Sequence, residues 1–439
     1  MKHLSLTAAA AAALALFSSG SVLAQTGSTV TIYGIADAGL NRVTGLKNGT
    51  YTGLASGIME GSRFGLKGTE DVGNGYKTIF TLENRFEIDT GSVSNTPPSS
   101  PNVLPDRFTT ATGLGLTGTA LAVSGAVLPG LNSTLGGSIG VNVGAGANRL
   151  FDRQAFVGMI TPFGQITAGR QYTPAYLLGA AFDASQTQSS LAVGQVASIP
   201  PAFDIRLSNT LQYAIQMSGV TAAIMYGAGE VAGSNSNSNG RFWGAFAMYK
   251  GPGFSAGFGR NQRNNELGQK SLENNVLGAS VDVGPGAIYA QYATIKDENP
   301  SGISTIGSLV GTNATLVGLL GAPGAAAVGA SYQAAYNNAF RQDAKLMHIG
   351  YKMTMGPHTI VTAYNRLDDK RPSNADTSSY GVTYTYALSK RTNLNAVLTR
   401  FNNNANGQAA PGGNGFLGGV TAAPGTDSTN MAFGIRHAF

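Results

Sequence analysis

Residues 76–88 place Tyr76, Phe80, Leu82 and Phe86 on one side of a two-residue period. Lys77, Thr81, Glu83, Arg85 and Glu87 fall on the other. Successive side chains of a strand point to opposite faces, so this is a strand with a ring-rich face and an ionised one. The ionised face cannot lie in a packed core; it must meet water while the opposite face meets something apolar. Residues 62–70 alternate in the same way, with Phe64 and Leu66 against Arg63, Gly65 and Lys67, and the two segments are joined by a Gly/Asn-rich turn at 71–75. Near the other end of the sequence, Met431, Phe433, Ile435, His437 and Phe439 oppose Asn430, Ala432, Gly434, Arg436 and Ala438. An edge strand this apolar is a template for association unless another strand covers it. Closing it against the first strand of a barrel removes the edge, and a bilayer receives the apolar face.

Tight-turn signals recur at 71–75, 161–164, 218–219, 251–253, 284–286, 355–357 and 389–391. From the third onward, segments of about ten residues flank them, the length of a tilted membrane strand. Tyr380, Val382, Tyr384, Tyr386 and Leu388 against Gly381, Thr383, Thr385 and Ala387 show the alternation most clearly. Longer Asn-, Gly-, Ser- and Asp-rich stretches separate the pairs. Seven short turns imply eight longer loops and therefore sixteen strands, a number that leaves an aqueous lumen. The expected fold is all-β: an antiparallel transmembrane barrel with short turns on the periplasmic side and long loops outside. A first strand from Thr29 to Leu40 is expected to lead into a polar loop reaching Glu60.

Composition agrees. Charged residues are 11% of the chain, Gly numbers 61, and Tyr (17) and Phe (19) far outnumber Trp (1). The net charge of +6 is spread out, without the Lys/Arg density that nucleic-acid binding needs. There is no cysteine, which removes disulfides and thiolate metal sites. Residues 1–24, with a basic start, an Ala/Leu run and a small-residue end, read as a cleaved signal peptide ahead of Gln25, leaving 25–439 as a single barrel domain. Two stretches, 108–148 and 299–340, carry no ionisable side chain other than Tyr. Gly, Ser, Thr, Asn and Pro interrupt both, so each reads as a long, weakly polar loop rather than a spanning helix.

Several of these segments resemble the general porins of beta-proteobacterial outer membranes, of the neisserial and burkholderial type. Residues 30–39 resemble that family's opening strand, 62–71 with the following turn its second hairpin, 153–158 and 163–174 the pair leading into its third loop, and Phe439 its closing residue. The resemblance implies a sixteen-stranded barrel, usually a homotrimer in outer-membrane lipid and lipopolysaccharide. It implies diffusion of small hydrophilic solutes and anions, and a loop after Arg170 that folds inward and narrows the channel. It also implies a second loop reaching toward a neighbouring subunit, although 89–150 is longer than that pattern leads one to expect. The other long stretch, 299–340, is a candidate lid over the mouth.

Arg63, Lys67, Lys77 and Arg85 share the water-facing phase of two adjacent strands, so they form a basic ladder if that face lines a lumen. The resemblance adds Arg153 and Arg170, although Arg170 shares a phase with Ile166 and needs a bulge to turn inward. Glu83 and Glu87 on the same phase moderate the ladder, so anion preference should be weak. Asp183 and Asp204 are the only carboxylates between Tyr172 and Asn209. Facing a basic wall they would set up a transverse field; Arg206 either pairs with Asp204 or lines the pore. Catalysis is not expected: His348, His358 and His437 are scattered and no nucleophile or phosphate-loop motif is present, so no cofactor or metal is implied. A substrate-selective channel, a loop-presenting adhesin or receptor, and a barrel hydrolase are the alternatives.

Overall fold

The computed structural model describes residues 28–93, 103–138, 149–197, 200–231, 236–412 and 419–439. The expected signal peptide lies outside them. The chain opens with β1 (Thr29–Leu46), β2 (Gly49–Ser56), β3 (Arg63–Gly73) and β4 (Tyr76–Arg85). After a long loop come β5 (Gln154–Thr161), β6 (Gly164–Tyr172), β7 (Arg206–Met217), β8 (Val220–Gly227), β9 (Phe242–Gly251) and β10 (Phe254–Asn264). Next are β11 (Lys270–Val283), β12 (Gly286–Asp297), β13 (Gln342–Met355), β14 (His358–Asp369), β15 (Thr377–Ala387) and β16 (Thr392–Asn403). Two short strands, β17 (Ala409–Ala410) and β18 (Gly419–Val420), form a small ladder in the last loop before β19 (Ser428–Ala438).

Every strand from β3 to β16 pairs antiparallel with the next, apart from the small ladder, and β16 pairs with β19. The sheet closes where β1 pairs β19 from Ile35↔Ala438 to Val43↔Asn430, with Gly34 and Phe439 exchanging two further backbone bonds. β2 and β3 pair with opposite ends of the same side of β1. They are thus two halves of one barrel strand, and the 17 segments of the sheet make a closed antiparallel barrel of sixteen strands. Closure leaves no free edge.

The seven expected turns occur; Gly73, Gly75, Gly164, Gly219, Gly253, Gly284 and Gly356 have positive φ in six of them, and 389–391 turns without a glycine. One expectation is corrected. The polar loop expected up to Glu60 is mostly sheet: β1 runs on to Leu46, turns over Lys47–Asn48 and returns as β2. Only 57–62 leaves the ladder. These strands rise past the apolar belt, with Arg42 and Thr52 bonded to each other on the outside, so the alternation that marks membrane strands is absent there.

The charge-free stretches, expected as long, weakly polar loops, form helices in their described parts: Asp106–Thr109, Gly118–Ala122, Ser124–Ser138, Ile306–Gly311 and Ala314–Phe340. They share one apolar cluster that includes Phe108, Leu131, Leu135, Val310, Leu316 and Tyr332. Phe108 stacks on Phe340 at 4.2 Å, and the Tyr332 hydroxyl donates to the Ala120 carbonyl. Where Gly329 faces Gly307 and Gly311, a Cβ would sit 2.2 Å from the Gly307 carbonyl oxygen, so these glycines let the helix backbones touch. The last helix is broken at Gly321 (φ 69°) and contains Pro323. Its length and apolarity would suffice for a membrane span. It instead links β12 to β13 on the loop side of the barrel, as part of a helical cap.

Candidate functional site

The loop between β6 and β7, described at 173–197 and 200–205, lies inside the barrel. Asn261 on β10 fixes its start, accepting from the Ala175 N–H (3.0 Å) and donating to the Thr173 hydroxyl (2.9 Å). The helix Pro174–Ala181 then follows the inner wall. The wall is cut away to receive it. Cβ atoms on Gly257 and Gly278 would lie 2.7 Å from Leu178 and 2.2 Å from Phe182, and one on Gly350 would lie 2.5 Å from Ala184. Further along, Ser190 bonds Thr399 on β16 and Asn430 on β19, both under 3.0 Å. Gln188 bonds the backbone of Met59 and Gly61, in the break between β2 and β3. That break is held by Asp37, whose carboxylate accepts from the N–H groups of Ile58, Met59 and Glu60 at 2.9–3.0 Å. The loop therefore lines the wall from β8 round to β19, and the remaining passage runs along β1 and β3–β7.

That side carries the arginines. Arg153, almost fully buried, donates to Glu83 (2.7 Å) and to the Tyr172 hydroxyl (3.0 Å). Arg63 pairs with Glu60 (3.0 Å) and approaches Glu83 (4.0 Å), and Tyr33 donates to Glu83 (3.1 Å). Arg436 reaches Glu60 from β19, and Arg85 lies 3.4 Å from Asp152. Arg206 donates to the Tyr172 hydroxyl (2.9 Å) and sits 4.4 Å from that ring, which stacks on Tyr176 of the inward loop. Burial, with Tyr172 alongside, pushes the Tyr176 hydroxyl above its ordinary range. Within this node five cations (Arg63, Arg85, Arg153, Arg206, Arg436) stand among three paired carboxylates (Glu60, Glu83, Asp152), five less three leaving two cations in excess.

Below this node, toward the turns, the lumen widens into a cavity of about 990 Å3 lined by Thr31, Lys67, Lys77, Thr81, Gln165 and Gln216, among others. The Lys67 ammonium sits 5.2 Å from the centre of the Tyr33 ring. Arg170 lies at a register shift between Gly169 and Gln171 and donates to the Asp152 carbonyl (2.6 Å) and to Ser208. Glu87 lies beyond β4, its backbone closing a turn with Gly91 and Ser92.

Neither loop carboxylate is bonded to the arginines of the opposite wall. Asp183 is buried and accepts from Ser185 and from the Val193 N–H, closing the loop on itself. Asp204 pairs with Arg263 (2.7 Å) rather than with Arg206. In its described part the second loop touches its own barrel. Its Leu104–Phe108 stretch packs on this barrel's own mouth, through Lys47 on Leu104 and Asp106, and Gln408 on Asp106. The sequence reading omitted Tyr33, Glu60, Tyr172 and Arg436 from the node. Arg436 stands on the polar phase of the last strand, and that phase is the signal that marks it. Glu60 carries no such signal, because its place depends on the strand break.

A family profile described as Gram-negative porin matches residues 8–319 and 305–406. Outer membrane porin protein 32 of Delftia acidovorans is 24% identical over 440 residues, covering 97% of each chain. An outer membrane porin protein of Bordetella pertussis is 37% identical over 100 residues, 20% of this chain and 25% of that one. Among solved structures, an anion-selective porin from Comamonas acidovorans superposes with a TM-score of 0.62 at 21% identity, over 94% of this chain and 100% of the other. OmpT of Vibrio cholerae shares the fold at a TM-score of 0.56 and 11% identity, over 95% and 100%.

Proposed function

The chain belongs to the Gram-negative porin family, an outer-membrane channel by that membership, and we propose that it passes small hydrophilic solutes with a weak preference for anions. The observation that carries this reading is the asymmetry of the constriction. An inward loop whose Asp204 is paired with Arg263 and whose Asp183 is turned onto Ser185 and Val193 of the loop itself faces a wall of arginines only partly neutralised by Glu60, Glu83 and Asp152. The anion-selective porin of the same fold supports it. Pore-lining roles go to Arg63, Arg85, Arg153 and Arg206 at the node, to Glu83 as their counter-charge, and to Lys67 and Lys77 in the vestibule. Arg170 and Glu87 act from the edge.

A homotrimer accounts for the outer surface. The exposed tyrosines and Trp243 among the described residues lie on β7–β15: Tyr213, Tyr226, Tyr249, Tyr292, Tyr364 and the three on β15. Rings with a polar tip belong at lipid–water borders. The outside of β1–β6 shows Val30, Ile32, Leu40, Val157 and Ile166 instead, a surface suited to another copy. The remaining outer wall would meet lipid and lipopolysaccharide.

Arg206→Gln tests the reading with least structural damage, because Arg206 is held by a tyrosine rather than by a buried carboxylate. Removing one such cation, worth about 1 kcal/mol at close range in water, should move the anion-to-cation permeability ratio toward unity by a factor of about two to five. Reversal potential under a KCl gradient measures it. An unchanged ratio removes the arginine wall from the selectivity account.

A further inference from the structure

The inward loop is fastened to the wall at one point by a buried imidazole. His348 lies on the inner face of β13, 4% exposed. Its Nδ1 is 2.6 Å from the Asn365 Oδ1, and the Asn365 amide nitrogen donates to the Leu191 carbonyl (2.9 Å) and to Ser379 (3.1 Å). Those two donations fix the amide orientation, so Oδ1 is the acceptor and Nδ1 carries the imidazole proton. Nε2 is then an acceptor, and it takes the Ala184 backbone N–H at 2.9 Å. One histidine and one asparagine thus hold both ends of loop segment 184–191. Two further inner positions on the same strand continue the attachment: Gly350 makes room for Ala184, and Lys352 donates to Gln186 (2.7 Å).

We infer that His348 is a positioning residue for the constriction loop, and that acid releases the loop from the wall by protonating it. A second ring proton on Nε2 would point at the Ala184 N–H, setting donor against donor in a buried place, and the bond can only break. The charged and titratable groups on the elements packed here are Asp183, next to Ala184 on the loop, Lys352, two inner positions along β13, and Tyr289 on β12, in the cluster that holds Ala184. Its cross-strand partners, Gln291 and Asn365, carry no charge. Asp183 favours the protonated ring, Lys352 opposes it, and Tyr289 remains neutral across the range concerned. The loop already lies against the wall, so a freed segment moves into the passage and narrows it. This rests on the channel reading, and the experiment separates the two: a protein that conducts without an acid response keeps the channel and loses the latch.

The test uses full-length protein in planar bilayers at about pH 7.5 and about pH 4.5, on either side of the ordinary imidazole range. Native conductance should fall by about two-fold or more at the acid value, as expected for a passage shared with a displaced loop. His348→Gln, whose amide oxygen can still accept from Ala184 at either pH, should hold its conductance. His358→Gln, on the exposed ring stack with Tyr384 and Tyr386, should respond as the native protein does. The chain has no cysteine, so Thr187→Cys in the native His348 background takes a single spin label, which should show a mobile component only at the acid value. Acid closure that persists in His348→Gln, or a label spectrum that does not change with pH, overturns the inference.

Discussion

At the residue scale the clearest dependence is Gly278. It occupies an inner position on β11 that alternation marks as water-facing, yet the space beside it belongs to Phe182, only 2% exposed. A methyl group there would overlap the base of the Phe182 side chain, which cannot swing away as the tip of a long chain could. Gly278→Ala should therefore displace the loop rather than unfold the barrel, giving noisier single-channel currents with unchanged heat-modifiable migration. Gly284→Ala is the contrast: nothing stands within 4 Å, but φ is +57°. It should cost about 1 kcal/mol of stability through backbone strain and leave the currents quiet. Which face each strand residue takes was legible in the sequence, because period two follows from backbone geometry alone. What each inner residue meets was not. Asp183 and Asp204 look alike as loop carboxylates, and only the folded loop shows that one closes on Val193 and the other on Arg263.

At the scale of elements, one short departure from the ladder governs the passage. The break 57–62 is pinned by Asp37 and in turn grips Gln188 of the inward loop. Asp37→Ala strands three backbone donors, each costing about 1–3 kcal/mol if left unsatisfied. A lowered thermal midpoint together with unsteady conductance is expected, and a variant as stable and as quiet as the parent would detach the break from the loop. Outside the barrel, Glu266 accepts from the Gly302 and Ser304 N–H groups and so ties the β10–β11 loop to the base of the cap. Burial alone would raise its carboxyl, but those hydrogen bonds outweigh burial and hold it below the ordinary range. A depressed carboxyl contributes stability above its unfolded value, about 4.3, and loses it as pH falls through the folded one. Hydrogen exchange at Gly302 and Ser304 should accordingly speed up below about pH 4, and Glu266→Gln should remove that dependence. The break was hidden in the sequence because β1 and β2 leave the apolar belt at Arg42 and Thr52. The turns were visible because their glycines and asparagines are required by positive φ.

At the scale of the whole molecule, the barrel was readable and its cap was not, for one physical reason. A barrel strand meets lipid and water separately, so each writes its own face into the sequence. The cap helices meet mainly each other, and the Gly, Ser and Pro that interrupt their segments lower intrinsic helicity; they become helical by burying Phe108, Leu131 and Leu135 from one insertion against Val310, Leu316 and Tyr332 from the other. Neither insertion shows that pattern alone. The cap is also joined to the passage. Arg107, beside the stacked Phe108, shares small cavities with Val196 and Ala197 of the inward loop and with Leu367 and Ala375 of the rim. Replacing 303–340 alone by a short linker should therefore strip half of a shared core, each large side chain losing about 1.5–3 kcal/mol of burial, and the product should aggregate on refolding. Replacing 103–138 and 303–340 together removes both halves. That double deletion should refold as a closed barrel, with conductance above that of the full chain because the mouth is uncovered. Refolding yield in detergent and single-channel current distinguish the cases. If the single deletion behaves as well as the double one, the two insertions do not depend on each other for burial.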